Sequence, residues 1–217
     1  MYFIAPSLLT ADMSNLSGEV QSLCAAGADF LHIDVMDGQF VENTTQFTPA
    51  VVAEIKRYAT VPLDVHLMVQ DPLPMIDDYV QAGADNITVH VESQCDLRRV
   101  LLNIQHGKCL TGLSLKPETD IHEILPYLSL LNRVMVMTVE PGKGGQSFMA
   151  DQTTKIRQLR ELKMGGRGFQ IEVDGGVNLE TAVLARMAGA DILVSGSYIL
   201  SSPDRARAIQ MLRGGAL

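Results

Sequence analysis

Short apolar segments alternate with amphipathic segments from one end of the chain to the other. The apolar segments are rich in Val, Ile and Leu and predict eight strands, at residues 2–9, 30–36, 63–69, 86–91, 110–116, 133–139, 169–175 and 192–199. The amphipathic segments predict eight helices, at residues 15–27, 48–59, 74–83, 97–107, 120–130, 151–163, 179–189 and 203–213. Each predicted strand precedes one predicted helix, an order typical of parallel strands joined by crossover helices.

This alternation predicts an α/β protein, and we expect a single (β/α)8 TIM barrel over residues 1–217. Eight units share the 217 residues, which leaves about 27 per unit, short but sufficient for a barrel. A doubly wound open sheet is the alternative, but it normally carries one glycine-rich turn after its first strand. Here the glycine-rich turns follow the sixth, seventh and eighth predicted strands, which favours the barrel.

Three short repeats mark joints between predicted helices and strands. They read Ala-Gly-Ala-Asp and end at Asp29, Asp85 and Asp191. In each repeat glycine stands where a helix should end, and aspartate stands just before a strand begins. The starts of barrel strands lie at the end of the fold that serves stability, so we expect these aspartates to support the scaffold.

Polar residues recur at alternate positions of two predicted strands. His32 and Asp34 share one face of the second strand, and His66 lies within the third. The apolar residues between them suit the face that packs on helices, so the polar face should point into the barrel. Asp174 ends the seventh strand at the same level, near the C-terminal strand ends where barrel active sites lie.

Together these four side chains offer two nitrogen and two carboxylate ligands. Such a set suits Zn²⁺, and also Fe²⁺, Mn²⁺ or Co²⁺. A lone inward histidine is usually a hydrogen-bonded core residue. Four candidate ligands at one end of three strands instead favour one divalent metal ion per chain.

Glycine-rich turns follow the last three predicted strands. They contain Gly142, Lys143, Gly144, Gly145, Gly175, Gly176, Gly196 and Ser197. Glycine lets the backbone approach an anion, and the N–H groups of a following helix can hold it. We therefore expect a phosphate pocket at these turns, as in many barrels. Lys143 could add a positive charge, although a solvated side chain is the simpler interpretation.

Met36, Met68 and Met137 lie near the C-terminal ends of the second, third and sixth predicted strands. Methionine is most often a core residue. Met36 and Met68, however, share a strand face with the predicted ligands, and the three could form a polarizable floor beneath the reacting carbons. Both interpretations stay open.

Composition narrows the choice of partners and location. The net charge is −8, which argues against nucleic-acid binding but not against a small anionic substrate. The first residues form neither a signal peptide nor a membrane span, so we expect no membrane association. The three cysteines form no Cys-x-x-Cys pair and are interpreted as reduced thiols, which favours a cytoplasmic location.

At these motifs the sequence resembles the ribulose-phosphate 3-epimerase family. The matching segments lie at residues 5–9, 30–41, 63–69, 136–148, 173–177 and 194–197. The resemblance runs over essentially the whole chain. It implies a TIM barrel, a divalent metal, commonly zinc or iron, a phosphorylated ketose as substrate, and a homo-oligomer.

The resemblance also implies roles for individual residues. His32, Asp34, His66 and Asp174 would ligate the metal, and the two aspartates would form the acid–base pair. Ser7 and His66 would contact the substrate, and the glycine-rich turns would line the substrate and phosphate pocket.

The implied reaction is C3 epimerisation by two-base proton transfer through a metal-stabilised enediolate. The residues suit it, because a proton next to a ketone is weakly acidic and a bound cation stabilises the developing charge. A base on one face and an acid on the other then invert the centre. The first candidate is the conversion of D-ribulose 5-phosphate to D-xylulose 5-phosphate.

Three loops depart from the family pattern, so a second substrate stays open. Residues 40–49 read Phe-Val-Glu-Asn-Thr-Thr-Gln-Phe-Thr-Pro, Lys116 follows the fifth strand, and Lys143 stands among the loop glycines. Because these loops lie where sugar length and stereochemistry are read, the alternative is the same reaction on a hexulose 6-phosphate such as D-allulose 6-phosphate.

Two more distant alternatives carry less support. Related decarboxylase and aldolase barrels have Asp-x-Lys-x-x-Asp on the third strand, whereas here Asp64 is followed by Val65 and His66. A non-catalytic sugar-phosphate-binding barrel would be favoured by loss of a ligand or base, and none is lost.

Overall fold

The computed structural model describes residues 2–166 and 168–215, and they form a ring of parallel strands. The predicted domain, residues 1–217, includes positions 1, 167, 216 and 217, which lie outside the described residues. The strands are β1 Phe3–Pro6, β2 Leu31–Met36, β3 Leu63–Met68, β4 Asn86–His90, β5 Leu110–Leu115, β6 Arg133–Met137, β7 Gln170–Asp174 and β8 Ile192–Ser195. Their order in the sheet is β1-β8-β7-β6-β5-β4-β3-β2, and β1 and β2 close the ring through a bridge between Ser7 and His32. The predicted TIM barrel is confirmed, and the doubly wound sheet is wrong.

Helices lie between the strands and cover the outside of the ring. They are α1 Leu16–Ala25, α2 Pro49–Tyr58, α3 Ile76–Gln81, α4 Leu97–His106, α5 Thr153–Met164, α6 Leu179–Ala188, α7 Ser197–Leu200 and α8 Arg205–Leu212. After β5 the predicted α-helix is instead a 3-10 helix, Ile121–Leu130. Pro126 lies inside it and lacks the N–H that an α-helical hydrogen bond would need. Within the described ranges, no helix is both long and apolar enough to cross a membrane.

Two predicted strands end three or more residues earlier than expected. The first ends at Pro6, because the Ser7 hydroxyl accepts a hydrogen bond from the Leu9 N–H and starts a 3-10 turn over Leu8–Thr10. The last ends at Ser195, because the chain turns into α7 after Gly196. In both cases the apolar run continues past the strand, so periodicity alone misplaces the boundary.

The strands are buried on both faces, as a barrel requires. All six residues of β2 are buried; Ile33 and Val35 pack with the helices in the main apolar core. The intervening His32 and Asp34 face the barrel interior, where they pair with side chains of neighbouring strands.

A repeated pair of hydrogen bonds joins the strands two by two at their N-terminal ends. In each pair, the residue just before a strand donates its backbone N–H to a carbonyl oxygen of the preceding strand. Its side-chain oxygen accepts a hydrogen bond from the N–H of the residue that carries this carbonyl. The pairs are Asp29 with Ile4, Asp85 with Leu63, Asn132 with Thr111, and Asp191 with Ile171, at distances of 2.7–3.0 Å. The three repeat aspartates thus act in the scaffold, and Asn132 does the same outside the repeat.

The scaffold pairs predict a graded effect on stability at Asp191. Its Oδ2 lies 2.7 Å from the buried Ile171 nitrogen, and its carboxylate also pairs with the half-exposed Lys163. Asp191→Ala should lower the free energy of unfolding by about 1–3 kcal/mol, because it leaves a buried N–H without an acceptor. Asp191→Asn should lower it by less than about 1 kcal/mol, since the amide oxygen still accepts and only a surface ion pair is lost. Urea denaturation of both variants measures the difference; equal losses would contradict the scaffold assignment.

Candidate active site

Strand register brings the four predicted ligands together at the C-terminal end of the barrel. Asp34 on β2 lies beside His66 on β3, and Asp174 ends β7. His32 Nε2 lies 3.3 Å from Asp34 Oδ1 and 3.9 Å from Asp174 Oδ2. His66 Nδ1 lies 3.2 Å and 3.8 Å from the same two oxygens. The cluster therefore presents one atom from each residue to a common centre.

His32 is fully buried and its two ring nitrogens have different surroundings. Its Nδ1 lies 2.8 Å from Asp64 Oδ2, an acceptor, so this nitrogen carries a proton. Its Nε2 has no hydrogen-bond partner among the described residues and faces the cluster. Burial alone would lower the pKa of His32, but the Asp34 and Asp64 carboxylates outweigh it and raise the pKa well above its usual value. The unpartnered nitrogen is thus a position where positive charge is favoured.

The two carboxyl groups of the cluster have opposite pKa shifts. Burial favours the neutral form of Asp34, but the charge of the neighbouring His32 is the largest influence against it, and the pKa of Asp34 is lowered. Burial, followed by repulsion from Asp34, raises the pKa of Asp174 to about 6. The Ser7 hydroxyl donates to Asp34 Oδ2 at 2.8 Å and so leaves Oδ1 directed at the cluster. One carboxyl group is therefore held ionised while the other readily accepts a proton.

The cluster fits a divalent cation in both donor type and spacing. Two imidazole nitrogens and two carboxylate oxygens are common ligands of zinc and related metals. A tetrahedral ion with bonds of about 2.0–2.1 Å places its ligand atoms about 3.3 Å apart. The four nitrogen–oxygen separations of 3.2–3.9 Å are close to that spacing. A modest contraction around a metal would therefore complete the site.

The charge of the surrounding residues also favours a bound cation. A second layer of acidic residues, Asp64 and Glu172, lies one inward-facing position below His66 and Asp174. Across the described chain, Arg133 is the one guanidinium or ammonium paired with these acidic groups, through Asp64 at 2.8 Å and Glu172 at 3.2 Å. Burial raises the pKa of Glu172 to about 8 despite that partner. The interior therefore has more carboxyl groups than its own cations balance.

The residues of this second layer are not among the predicted site residues, although strand alternation could have identified two of them. Asp64 and Glu172 each stand two residues before a predicted ligand and so share its strand face. Arg133 gives no such signal, because its partners come from other strands; its guanidinium also lies 4.8 Å from the Phe30 ring. Asp64 orients His32, and a carboxylate behind a ligating histidine fixes the ring and its tautomer.

A cavity of about 320 Å³ opens above the cluster and is bordered by the predicted substrate residues. Ser7, Asp34 and Asp174 line it. So do the predicted turn residues, Gly142, Lys143, Gly144, Gly145, Gly175, Gly176, Gly196 and Ser197, and the three methionines Met36, Met68 and Met137. The ring of His66 is fully buried and does not line the cavity, so its expected contact with substrate stays a prediction.

Two glycines after β7 hold the wall of this cavity in a shape that other residues would not allow. Gly175 and Gly176 have φ of 117° and 65°. A Cβ atom at Gly175 would lie 2.4 Å from Val139, and one at Gly176 would lie 2.5 Å from the Phe148 nitrogen. The turns after β6 and β7 are therefore packed closely against each other, which leaves peptide groups near the cavity.

Comparisons with known proteins identify relatives of this chain. The ribulose-phosphate 3 epimerase family model matches residues 3–200. The chain is 41% identical over 216 residues to a ribulose-phosphate 3-epimerase of Bacillus subtilis (strain 168), with 99% of each chain covered. It is 44% identical over 196 residues to that of Rhodobacter capsulatus, with 90% of this chain and 85% of the relative covered.

Solved structures of lower identity share the fold. One is KGPDC from Streptococcus mutans, with a TM-score of 0.73, 14% identity, and 98% of this chain and 96% of that chain covered. Another is a 3-hexulose-6-phosphate synthase, with a TM-score of 0.68, 21% identity and 98% of each chain covered. At these identities the likeness supports the barrel alone. The family match over residues 3–200 and the identity to the bacterial epimerases show that this chain belongs to the ribulose-phosphate 3-epimerase family.

Proposed function

We propose that this protein is a metal-dependent isomerase that inverts C3 of a ketose phosphate, converting D-ribulose 5-phosphate to D-xylulose 5-phosphate. One observation carries the proposal: Asp34 and Asp174, from strands β2 and β7, border the same cavity and share a cluster with two buried imidazoles. The family relatives named above are ribulose-phosphate 3-epimerases, which supports a pentulose phosphate over the hexulose alternative.

In this proposal one divalent cation per chain, with Zn²⁺ as first choice and Fe²⁺, Mn²⁺ or Co²⁺ as others, is held by His32, Asp34, His66 and Asp174. When bound, the cation supplies electrostatic stabilisation of the negative charge that develops on the substrate oxygens. The unpartnered His32 nitrogen and the excess of buried carboxyl groups support its presence.

Asp34 and Asp174 carry the proton transfers. One carboxylate removes the proton from C3, and the other group, as a carboxylic acid, donates a proton to the opposite face of the planar intermediate. Their opposite pKa shifts support this division, since the pKa of Asp34 is lowered while that of Asp174, about 6, lies closer to neutral pH, where a group can both gain and lose a proton. The Asp174 side chain is 16% exposed and that of Asp34 only 4%, so Asp174 exchanges its proton with water more easily.

The remaining cavity residues bind and shield the substrate. The three methionines are nearly fully buried and would exclude water below the reacting carbons. The turns after β6, β7 and β8 would hold the phosphate through backbone N–H groups, which need no net positive charge. Assembly as a homo-oligomer and a cytoplasmic location stay predictions.

A comparison of two substrates tests the proposed activity. We expect kcat/KM for D-ribulose 5-phosphate to exceed that for D-allulose 6-phosphate, because the family match is to pentulose phosphate enzymes. A coupled assay that detects each product at matched substrate concentrations measures both. Greater efficiency with the hexulose would establish the alternative substrate, and inactivity with both would contradict the proposed function.

The acid–base assignment predicts the effect of amide substitutions. Asp34→Asn and Asp174→Asn should each lower kcat by about 10²–10⁴-fold, because an amide neither accepts nor donates the transferred proton. In D₂O, each variant should retain C3 proton exchange with only one of the two epimers, which nuclear magnetic resonance detects. Asp120→Asn, at an exposed position, is the matched control. Exchange of both epimers at the parent rate would refute the two-base assignment.

Metal removal gives an independent prediction. Dialysis against a strong chelator should abolish turnover, and added Zn²⁺, Fe²⁺, Mn²⁺ or Co²⁺ should restore it with about one ion per chain, since the cluster offers four ligands for one ion. Elemental analysis and the product assay measure the two quantities. Full activity in chelated protein that contains no metal would contradict the proposed metal dependence.

A further inference from the structure

We infer that His90 and Glu92 are positioning residues that hold the His66 ring with its Nδ1 lone pair directed at the metal ligand cluster. The inference rests on the proposed function, because it assigns His66 as a metal ligand. Neither residue lines the cavity, and neither belongs to the cluster itself.

A continuous series of contacts runs from the cluster to the rim of the barrel. His66 Nδ1 lies 3.2 Å from Asp34 Oδ1, and His66 Nε2 lies 2.9 Å from His90 Nε2. His90 Nδ1 lies 3.1 Å from Glu92 Oε2. The two imidazoles stack with ring centroids 4.9 Å apart, and both are fully buried. The ring of His66 is therefore held by hydrogen bonding and by stacking.

Glu92, at the outer end of the series, determines which atom donates in each of its hydrogen bonds. Glu92 Oε1 accepts the Lys116 N–H at 2.8 Å, so its other oxygen faces His90. Burial would raise the pKa of Glu92, but the hydrogen bond with His90 outweighs it and the pKa falls to about 2, so the group is an acceptor only. His90 Nδ1 must then carry the proton of that contact.

The tautomers of both rings follow from this starting point. His66 Nε2 and His90 Nε2 lie 2.9 Å apart, so only one of these two nitrogens carries a proton. His90 already carries its proton on Nδ1, and a second proton would place a charge on a fully buried ring, so its Nε2 is the acceptor. His66 Nε2 must therefore donate, and a neutral His66 has its lone pair on Nδ1. A ring that ligates through Nδ1 and a ring that accepts through Nε2 carry one proton each, so two protons serve three contacts. The contact without a proton is His66 Nδ1 to Asp34, where the proposed cation would provide the missing positive charge.

Neighbouring side chains shield from water the relay, which is the series of hydrogen bonds from Glu92 through His90 to His66. The Phe40 ring packs on His90 with centroids 4.7 Å apart, and the Lys116 ammonium lies 4.1 Å from the Phe40 centroid. A dry environment strengthens hydrogen bonds and disfavours an imidazole flip that would leave a polar atom unpaired. His90 and Glu92 thus fix the ring and the tautomer of His66, as Asp64 fixes those of His32.

Glu92→Gln tests the relay with almost no change in shape. The fixed Lys116 N–H retains the amide oxygen, so the amide NH₂ would face His90 Nδ1. That group donates where the carboxylate accepted, which reverses the series and places a proton on His66 Nδ1. We expect Zn²⁺ affinity, measured by calorimetric titration of the metal-free protein, to fall about 10–100-fold. Glu118→Gln removes the same charge from an exposed position of the adjacent loop and should bind like the parent.

A second readout and a second variant make the result specific. In zinc-loaded parent protein, imidazole ¹⁵N shifts should show the proton of His66 on Nε2 and that of His90 on Nδ1. His90→Phe retains the aromatic stack but removes the acceptor, and should also weaken Zn²⁺ binding; circular dichroism checks folding of both variants. Glu92→Gln affinity within about twofold of the parent, or a His66 Nδ1 proton in the parent, would overturn the relay. Absence of Zn²⁺ binding by the parent would instead overturn the metal assignment on which the relay rests.

Discussion

The interior of the barrel confines four carboxyl groups around two imidazoles, and the site depends on how that charge is balanced. Arg133 pairs with the lower two carboxyl groups, whereas among the described residues the upper two, Asp34 and Asp174, pair with histidines and with no arginine or lysine. Buried like charges are costly, and protonation is the response where no cation is present. Burial, together with a neighbouring carboxylate, Asp64 for Glu172 and Asp34 for Asp174, raises the pKa values of Glu172 and Asp174. A centre of this kind favours added positive charge, which is why a divalent ion suits it.

The scaffold and the site lie at opposite ends of the same strands. At the N-terminal ends, Asp29, Asp85, Asn132 and Asp191 each bridge a pair of strands with two hydrogen bonds. These bridges include the pair β1 and β2, where regular strand pairing is limited to the bridge at Ser7. Register set at one end places alternate side chains at a common level at the other. The precision of the ligand cluster is therefore a consequence of the barrel's closure.

Local patterns predicted most of the fold and the inner part of the site. Alternation along β2 and β3 separated His32, Asp34 and His66 from their apolar neighbours, because side chains of a strand alternate between two faces. Local patterns failed where an apolar run continued past a strand, at Gly196, and where Pro126 changed the helix type. They also did not predict Asn132, which forms the same pair of hydrogen bonds as the repeat aspartates although no repeat surrounds it.

The sequence by itself determined which residue types face the interior and which of them have the chemistry of ligands, because strand periodicity is a local property. Only the tertiary structure decided which atom of each proposed ligand is available. His32 presents Nε2 because Asp64, on another strand, occupies Nδ1; His66 presents Nδ1 because His90 occupies Nε2. A histidine tautomer depends on the acceptor that a distant segment supplies, so no pattern within one strand can predict it.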